Sequence, residues 1–140
     1  MTDAEPEPED RSKRPAGIVE YTLPGGWQVL AGRTAEANDY LSLRLADPRD
    51  LWFHIRSMPG SHVVLRVPSD ATPDRATRER AAAIAAYHSK ARTAGTVAVS
   101  CTEARHVSKP RGAKPGTVTI RNETVLKVQP ANDETLASFK

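Results

Sequence analysis

Asp50-Leu-Trp-Phe-His-Ile-Arg-Ser-Met-Pro-Gly-Ser-His-Val-Val-Leu-Arg66 reads as two strands around a turn. At the two-residue period of a strand, Leu51, Phe53 and Ile55 share one face, an ordinary core face. Asp50, Trp52, His54 and Arg56 share the other. A carboxylate, an indole, an imidazole and a guanidinium in a row are an odd set for packing alone. Trp and Arg offer flat surfaces for stacking, and His and Arg can donate to a phosphate. We read this face as a ligand-facing strip; the alternative is a satisfied core histidine beside a buried Trp. Met58-Pro-Gly-Ser61 has turn composition, with Pro fixing one φ and Gly free to take a positive one. Beyond it Val63, Leu65 and Val67 alternate with His62, Val64 and Arg66. The two strands are expected to pair as a hairpin with His54 and His62 at the same end, in a register the sequence leaves open.

Outward from this hairpin the same periodicities continue. Ile18-Val-Glu-Tyr-Thr-Leu23 and Trp27-Gln-Val-Leu-Ala31 flank the turn Pro24-Gly-Gly26, a second hairpin. Ala37, Leu41 and Leu45 share a face at helical spacing, which predicts a short helix over about 35–46 capped by Thr34. Asn38-Asp39 sits badly near its start on propensity, so either Asn38 is the cap or both side chains are held by nearby backbone. Thr72 as cap and Pro73 at the first position open a long Ala-rich helix, 73–94, whose Ala81, Ile84, Tyr87 and Ala91 form the apolar face and which Gly95 closes. Its Arg75, Arg78, Arg80, Lys90 and Arg92 read as a solvated face. Residues 96–102 alternate as a strand, and Thr117–Arg121 and Thr124–Val128 as two strands around Asn122-Glu123. The expected fold is α+β: one domain with a mostly antiparallel, twisted sheet of three hairpin-like pairs plus the 96–102 strand. The long helix and the shorter one pack on that sheet. The domain is expected to span 17–131, between a disordered acidic tail, 1–16, and a polar C-terminal tail, 132–140.

The chain has 140 residues and a net charge of +3. That length suits one domain with a real core. Positions 1–14 carry five acidic and three basic residues, so the remainder holds 17 basic and 12 acidic, a net of +5. The excess points to an anionic partner. An acidic, mobile tail over residues 3–10 is expected to compete with that partner for the basic surface. No apolar run is long enough for a bilayer and no export signal is recognisable, so we expect a cytoplasmic protein. The single cysteine, Cys101, reads as a buried, unreactive thiol.

Between residues 105 and 127 stand Arg105, Lys109, Arg111, Lys114, Arg121 and Lys127, with His106, against Glu123 alone. Lys109-Pro-Arg-Gly-Ala-Lys-Pro-Gly116 mixes charge with Pro and Gly, which suits a phosphate backbone. It is not a P-loop, because the Gly spacing is wrong and no Lys-Ser or Lys-Thr follows. Candidate residues for contact with such an anionic partner are Asp50, Trp52, His54, Arg56, Ser61, His62, Arg105, Lys109, Arg111 and Lys114, with no catalytic, cofactor or metal role assigned. Asp50, His54 and His62 have residue types suited to metal-dependent phosphodiester cleavage, yet neither histidine forms a short ligand-spacing motif. Ser61 sits in no nucleophile elbow. The rivals to binding a phosphate backbone are therefore a protein-interaction module and, below it, a metal-dependent phosphodiesterase.

From about Val19 to Pro130 the sequence resembles NFACT-R, the RNA-binding domain of the NFACT proteins, a group that includes bacterial RqcH, eukaryotic NEMF and proteins long labelled fibronectin-binding. The matching residues run in order: Gly26-Trp27, Gly32-Arg33, Asn38-Asp39, Asp50-Leu-Trp-Phe-His54, Pro59-Gly-Ser-His-Val63, then Ala81–Ser89 and Val107–Val118. The resemblance implies a module that helps bind tRNA, or that meets rRNA at the large ribosomal subunit. In the full-length proteins it implies a part in tailing stalled nascent chains. The family's N-terminal domain, helix-hairpin-helix segment and coiled-coil arm have no counterpart in these 140 residues.

Overall fold

A computed structural model describes residues 9–140. Its frame is a six-stranded antiparallel sheet in the order β1-β2-β4-β3-β5-β8. The strands are β1 (Ile18–Thr22), β2 (Gln28–Gly32), β3 (Leu51–Ile55), β4 (Val63–Leu65), β5 (Val97–Glu103) and β8 (Thr124–Val128). Two short strands, β6 (Val107–Ser108) and β7 (Thr119–Ile120), make a separate ribbon. The helices are α1 (Ala35–Asp39), continued by a π-helical turn at Tyr40–Leu45, then α2 (Arg75–Tyr87) and α3 (Asp133–Ser138). The expected α+β fold with an antiparallel sheet is what the chain adopts.

The sheet is covered on both faces. Phe53, Val63, Leu65 and Val99 meet Ala81, Ala82, Ile84 and Ala85 of α2 on one side. The alanines let the helix lie close to the pleat. Leu30, Trp52 and Val64 point the other way, onto Leu41, Leu45 and Val107. Thr34 caps α1, its hydroxyl accepting from Ala37 N at 3.0 Å. The Ala46 N to Leu41 O bond closes a π turn, so that Leu41, Ser42 and Leu45 all face inward.

Four expectations are corrected. The long helix is capped by Asp74, which accepts from Thr77 N at 2.8 Å, and it ends at Tyr87. There the chain leaves the helix because Gly60 and Ser89 form a bridge and Ser61 N donates to His88 O. The third hairpin is not one: β7 pairs with β6 and β8 with β5. Thr102 Oγ1 donates to Arg121 O at 2.6 Å, which pins the turn between them and sends the two strands to different sheets. Residues 132–140 are not a free tail, because α3 lodges Leu136 and Phe139 in the main core and Thr22 N donates to Phe139 O. At the other end, Glu9 accepts from the Arg14 guanidinium and from Tyr40 Oη, so residues 9–16 lie on the domain. The rest of the expected acidic tail, 1–8, lies outside the described residues.

Candidate nucleic-acid interface

Strands β3 and β4 pair with Phe53 opposite Val63 and Trp52 opposite Val64, and the same register carries His54 opposite His62. The two imidazoles meet edge to face with centroids 5.6 Å apart, and Trp52 stacks on His54 at 5.8 Å. The strip thus lies on one face as read, but most of it is not a surface. Trp52 and His62 are each 3% exposed beneath the π turn. Ser42 Oγ accepts from Trp52 Nε1 at 2.9 Å and lies 2.7 Å from His62 Nδ1, to which its hydroxyl donates when His62 carries its proton on Nε2. Burial, and then the neighbouring His54, depress the His62 pKa to about 4, so it is neutral near pH 7. Burial also lowers that of the half-buried His54.

Asp50 is equally enclosed, at 1% exposed, and away from the histidines. Its carboxylate accepts from Val67 N and Asp47 N and pairs with Arg66 Nε at 2.8 Å, a clamp on the loop before β3. Burial pushes its carboxyl up against these partners. Among the described residues no three His, Cys, Asp or Glu side chains stand together to hold a metal. The Asp50–His54–His62 set of the phosphodiesterase alternative is therefore not assembled.

Asn38 and Asp39 are held as the second of the two expectations had it. Asn38 Oδ1 accepts from His62 N at 3.0 Å. Asp39 accepts from Gly116 N at 2.9 Å and from Lys109 Nζ at 3.0 Å, while Lys109 Nζ also donates to Lys114 O. Lys109, expected on phosphate, instead ties its own loop to α1. Gly116 takes φ +85°, a left-handed value, beside Ala35. The Asn38 contact requires Gly32: a Cβ there would lie 2.2 Å from Asn38 Oδ1. Gly32→Ala is expected to cost about 1–3 kcal/mol through displaced backbone and a strained Asn38. A thermal melt checks this, and an unchanged melting temperature would count against it.

The remaining candidates divide. Arg56 and Arg105 are exposed but paired, with Glu123 at 3.8 Å and Glu103 at 3.2 Å. Arg111 and Lys114 are exposed and, like Arg121 and Lys127, make no ion pair among the described residues. Ser61 is buried at the wall of a cleft of about 560 Å³. That cleft gathers the ends of several quoted motifs: Gly32-Arg33, Asn38, Pro59-Gly-Ser61, His88-Ser89 and Gly116. Its cations Arg33, Lys90 and Arg92 are not among the sequence candidates, because helical spacing alone puts Lys90 and Arg92 on a solvated face. A helix ending at Tyr87 places them on a turn beside the cleft instead.

The order and spacing of these converging motifs find a match in known proteins: residues 19–122 correspond to the NFACT protein RNA binding domain. The chain belongs to this NFACT-R family. It is 43% identical over 113 residues to the Rqc2 homolog RqcH of Bacillus subtilis (strain 168), a match covering 81% of this chain and 19% of that protein. The RqcH of Streptococcus suis (strain 05ZYH33) is 42% identical over 106 residues, covering 76% of this chain and 19% of the relative. This NFACT-R chain thus spans about a fifth of the length of the curated relatives it matches. Among solved structures, the C-terminal part of the fibronectin/fibrinogen-binding protein of Streptococcus suis superposes with a TM-score of 0.82 at 37% identity, over 90% of this chain and 50% of that one. No helix among the described residues of this NFACT-R domain is long and apolar enough to cross a membrane.

Proposed function

We propose that this chain binds structured RNA, tRNA or rRNA at the large ribosomal subunit, as a cytoplasmic, non-enzymatic module of ribosome-associated quality control. Membership of the NFACT-R family is the observation that carries this reading. The cations Arg111 and Lys114, which make no ion pair among the described residues, support it, because a loop rich in Pro and Gly presents charge to a phosphate backbone without demanding base-specific geometry.

Filter binding of tRNA across a salt series tests it. Affinity should fall steeply with salt, and Arg111→Ala with Lys114→Ala should lower the slope of log K against log salt by roughly 1–2. Lys109 is left intact in this variant, since removing it would unfasten the loop. Wild-type slope and affinity in the double variant would remove the loop from the interface. Ribosome association that survives nuclease and resists salt would favour the protein-interaction alternative.

A further inference from the structure

The 560 Å³ cleft has a charge pattern that packing does not explain. Arg33, Lys90 and Arg92 line it, with no Asp or Glu among the lining residues. None of the three makes an ion pair among the described residues. The larger groove on the domain, beside the π turn, has the opposite character: Glu9, Glu36, Asp47 and Asp70 interleave there with its cations, so its charge is largely internal.

The small cleft is also built, not merely charged. The Arg92 guanidinium lies 4.2 Å over the Tyr87 ring and its Nε donates to Tyr87 O at 3.2 Å, which holds it in place. His88 Nε2 stands 2.8 Å from Tyr21 Oη across the sheet edge, which fixes the imidazole in the wall. Ser61 is 8% exposed and its hydroxyl has no protein partner among the described residues. Every fully enclosed side-chain polar atom among those residues does have one. The Ser61 hydroxyl therefore opens onto space, and at this position the space is the cleft. Burial first, then the charges of Arg33, Arg92 and Lys140, hold His88 at a pKa of about 4, consistent with a pocket of concentrated positive potential.

We propose that this cleft binds one phosphate group of an RNA strand, with Arg33, Lys90 and Arg92 supplying charge and the Ser61 hydroxyl a neutral hydrogen bond. The inference rests on the RNA-binding reading and adds to it a second contact, carried by Arg33 and the turn after α2 beside the 109–116 loop. Charge-assisted hydrogen bonds are the strong class of phosphate contact, and three cations with no carboxylate among them favour an anion.

Three probes decide it on the full chain: a single-stranded RNA oligonucleotide, inorganic phosphate, and adenosine, which has a base and sugar but no phosphate. The imidazole signals of His88 are followed by NMR, and RNA affinity by filter binding. We expect RNA and millimolar phosphate to shift the His88 signals and adenosine to leave them still. Arg33→Gln with Lys90→Gln, two exposed positions, should weaken RNA binding by about tenfold or more while the melting temperature stays put. Silent His88 signals at saturating RNA, an equal response to adenosine, or undiminished affinity in the Gln variant would each overturn the site. If the wild type binds no RNA at all, the broader reading falls, and the phosphate titration alone then decides the cleft.

Discussion

Trp52→Ala is expected to lower stability by about 3–5 kcal/mol, the usual cost of removing a large aromatic side chain from a packed core. The indole sits between Leu30, Val64, Leu41 and Leu45, stacks on His54, and donates to Ser42. Its loss opens a cavity between sheet and π turn and weakens the attachment of the turn that carries Ser42. Trp52→Phe keeps an aromatic ring on the same stem but loses the pyrrole part of the indole with its N–H, so it should cost less than the Ala variant, about 1–3 kcal/mol. Denaturant melts of the three proteins give both values. RNA affinity, measured well below the melting temperature, should be near wild type in Trp52→Phe. A Trp52→Ala protein of unchanged stability that had lost RNA affinity would mean that the indole reaches the ligand after all.

That expectation reverses the first reading of Trp52, and the reason is physical. Alternation along a strand reports which face a side chain is on, and it separates Leu51 and Phe53 from Trp52 as the two packed layers do. It does not report whether the second face is wet. The signal was nonetheless present: Leu41 and Leu45 form a helical stripe that needs an apolar partner, and α2 already occupies the other face of the sheet. Leu30 and Val64, one from each neighbouring strand, supply that partner. A Trp and a His in such a layer need a polar atom each, and Ser42, turned inward by a π turn that no periodicity predicts, provides both.

The boundaries that failed were those set by tertiary contacts. Nothing local distinguishes Tyr87 from Ala91 as a helix end; the bridge between Gly60 and Ser89 does. Likewise Thr117–Val128 has every mark of a hairpin, and tertiary bonds at its middle, from Thr102 to Arg121 O and from Arg121 N to His106 O, divide it. Site residues followed the same division. Charge density marked out the loop holding Arg111 and Lys114, but not that Lys109 would turn back to Asp39, seventy positions earlier. Arg33, Lys90 and Arg92 become one group only once the end of β2 meets the turn after α2.

Acidification should destabilise the protein between pH 6.5 and about 4, ahead of most carboxylates. An unfolded histidine titrates near 6.5, whereas His62 and His88 in the fold titrate at about 4. Within that window the unfolded chain binds protons that the folded one refuses, so stability is full above pH 6.5 and drains as pH falls toward 4. For His62, which is almost fully enclosed, the shift corresponds to roughly 3 kcal/mol by pH 4. His54 acts in the same direction, its protonation opposed first by burial. The carboxylates with lowered pKa, Glu9 and Asp74, begin to lose their contribution only near the foot of the window, where their unfolded forms start to bind protons. His62→Gln is expected to start less stable at pH 7, because the contacts to Ser42 and Trp52 are disturbed, yet to lose less on going to pH 4.5. Denaturant melts at half-unit steps separate the two curves. If wild type and variant run parallel through the window, His62 is not the group that charges on unfolding, and its neutral, enclosed placement beneath the π turn would be wrong.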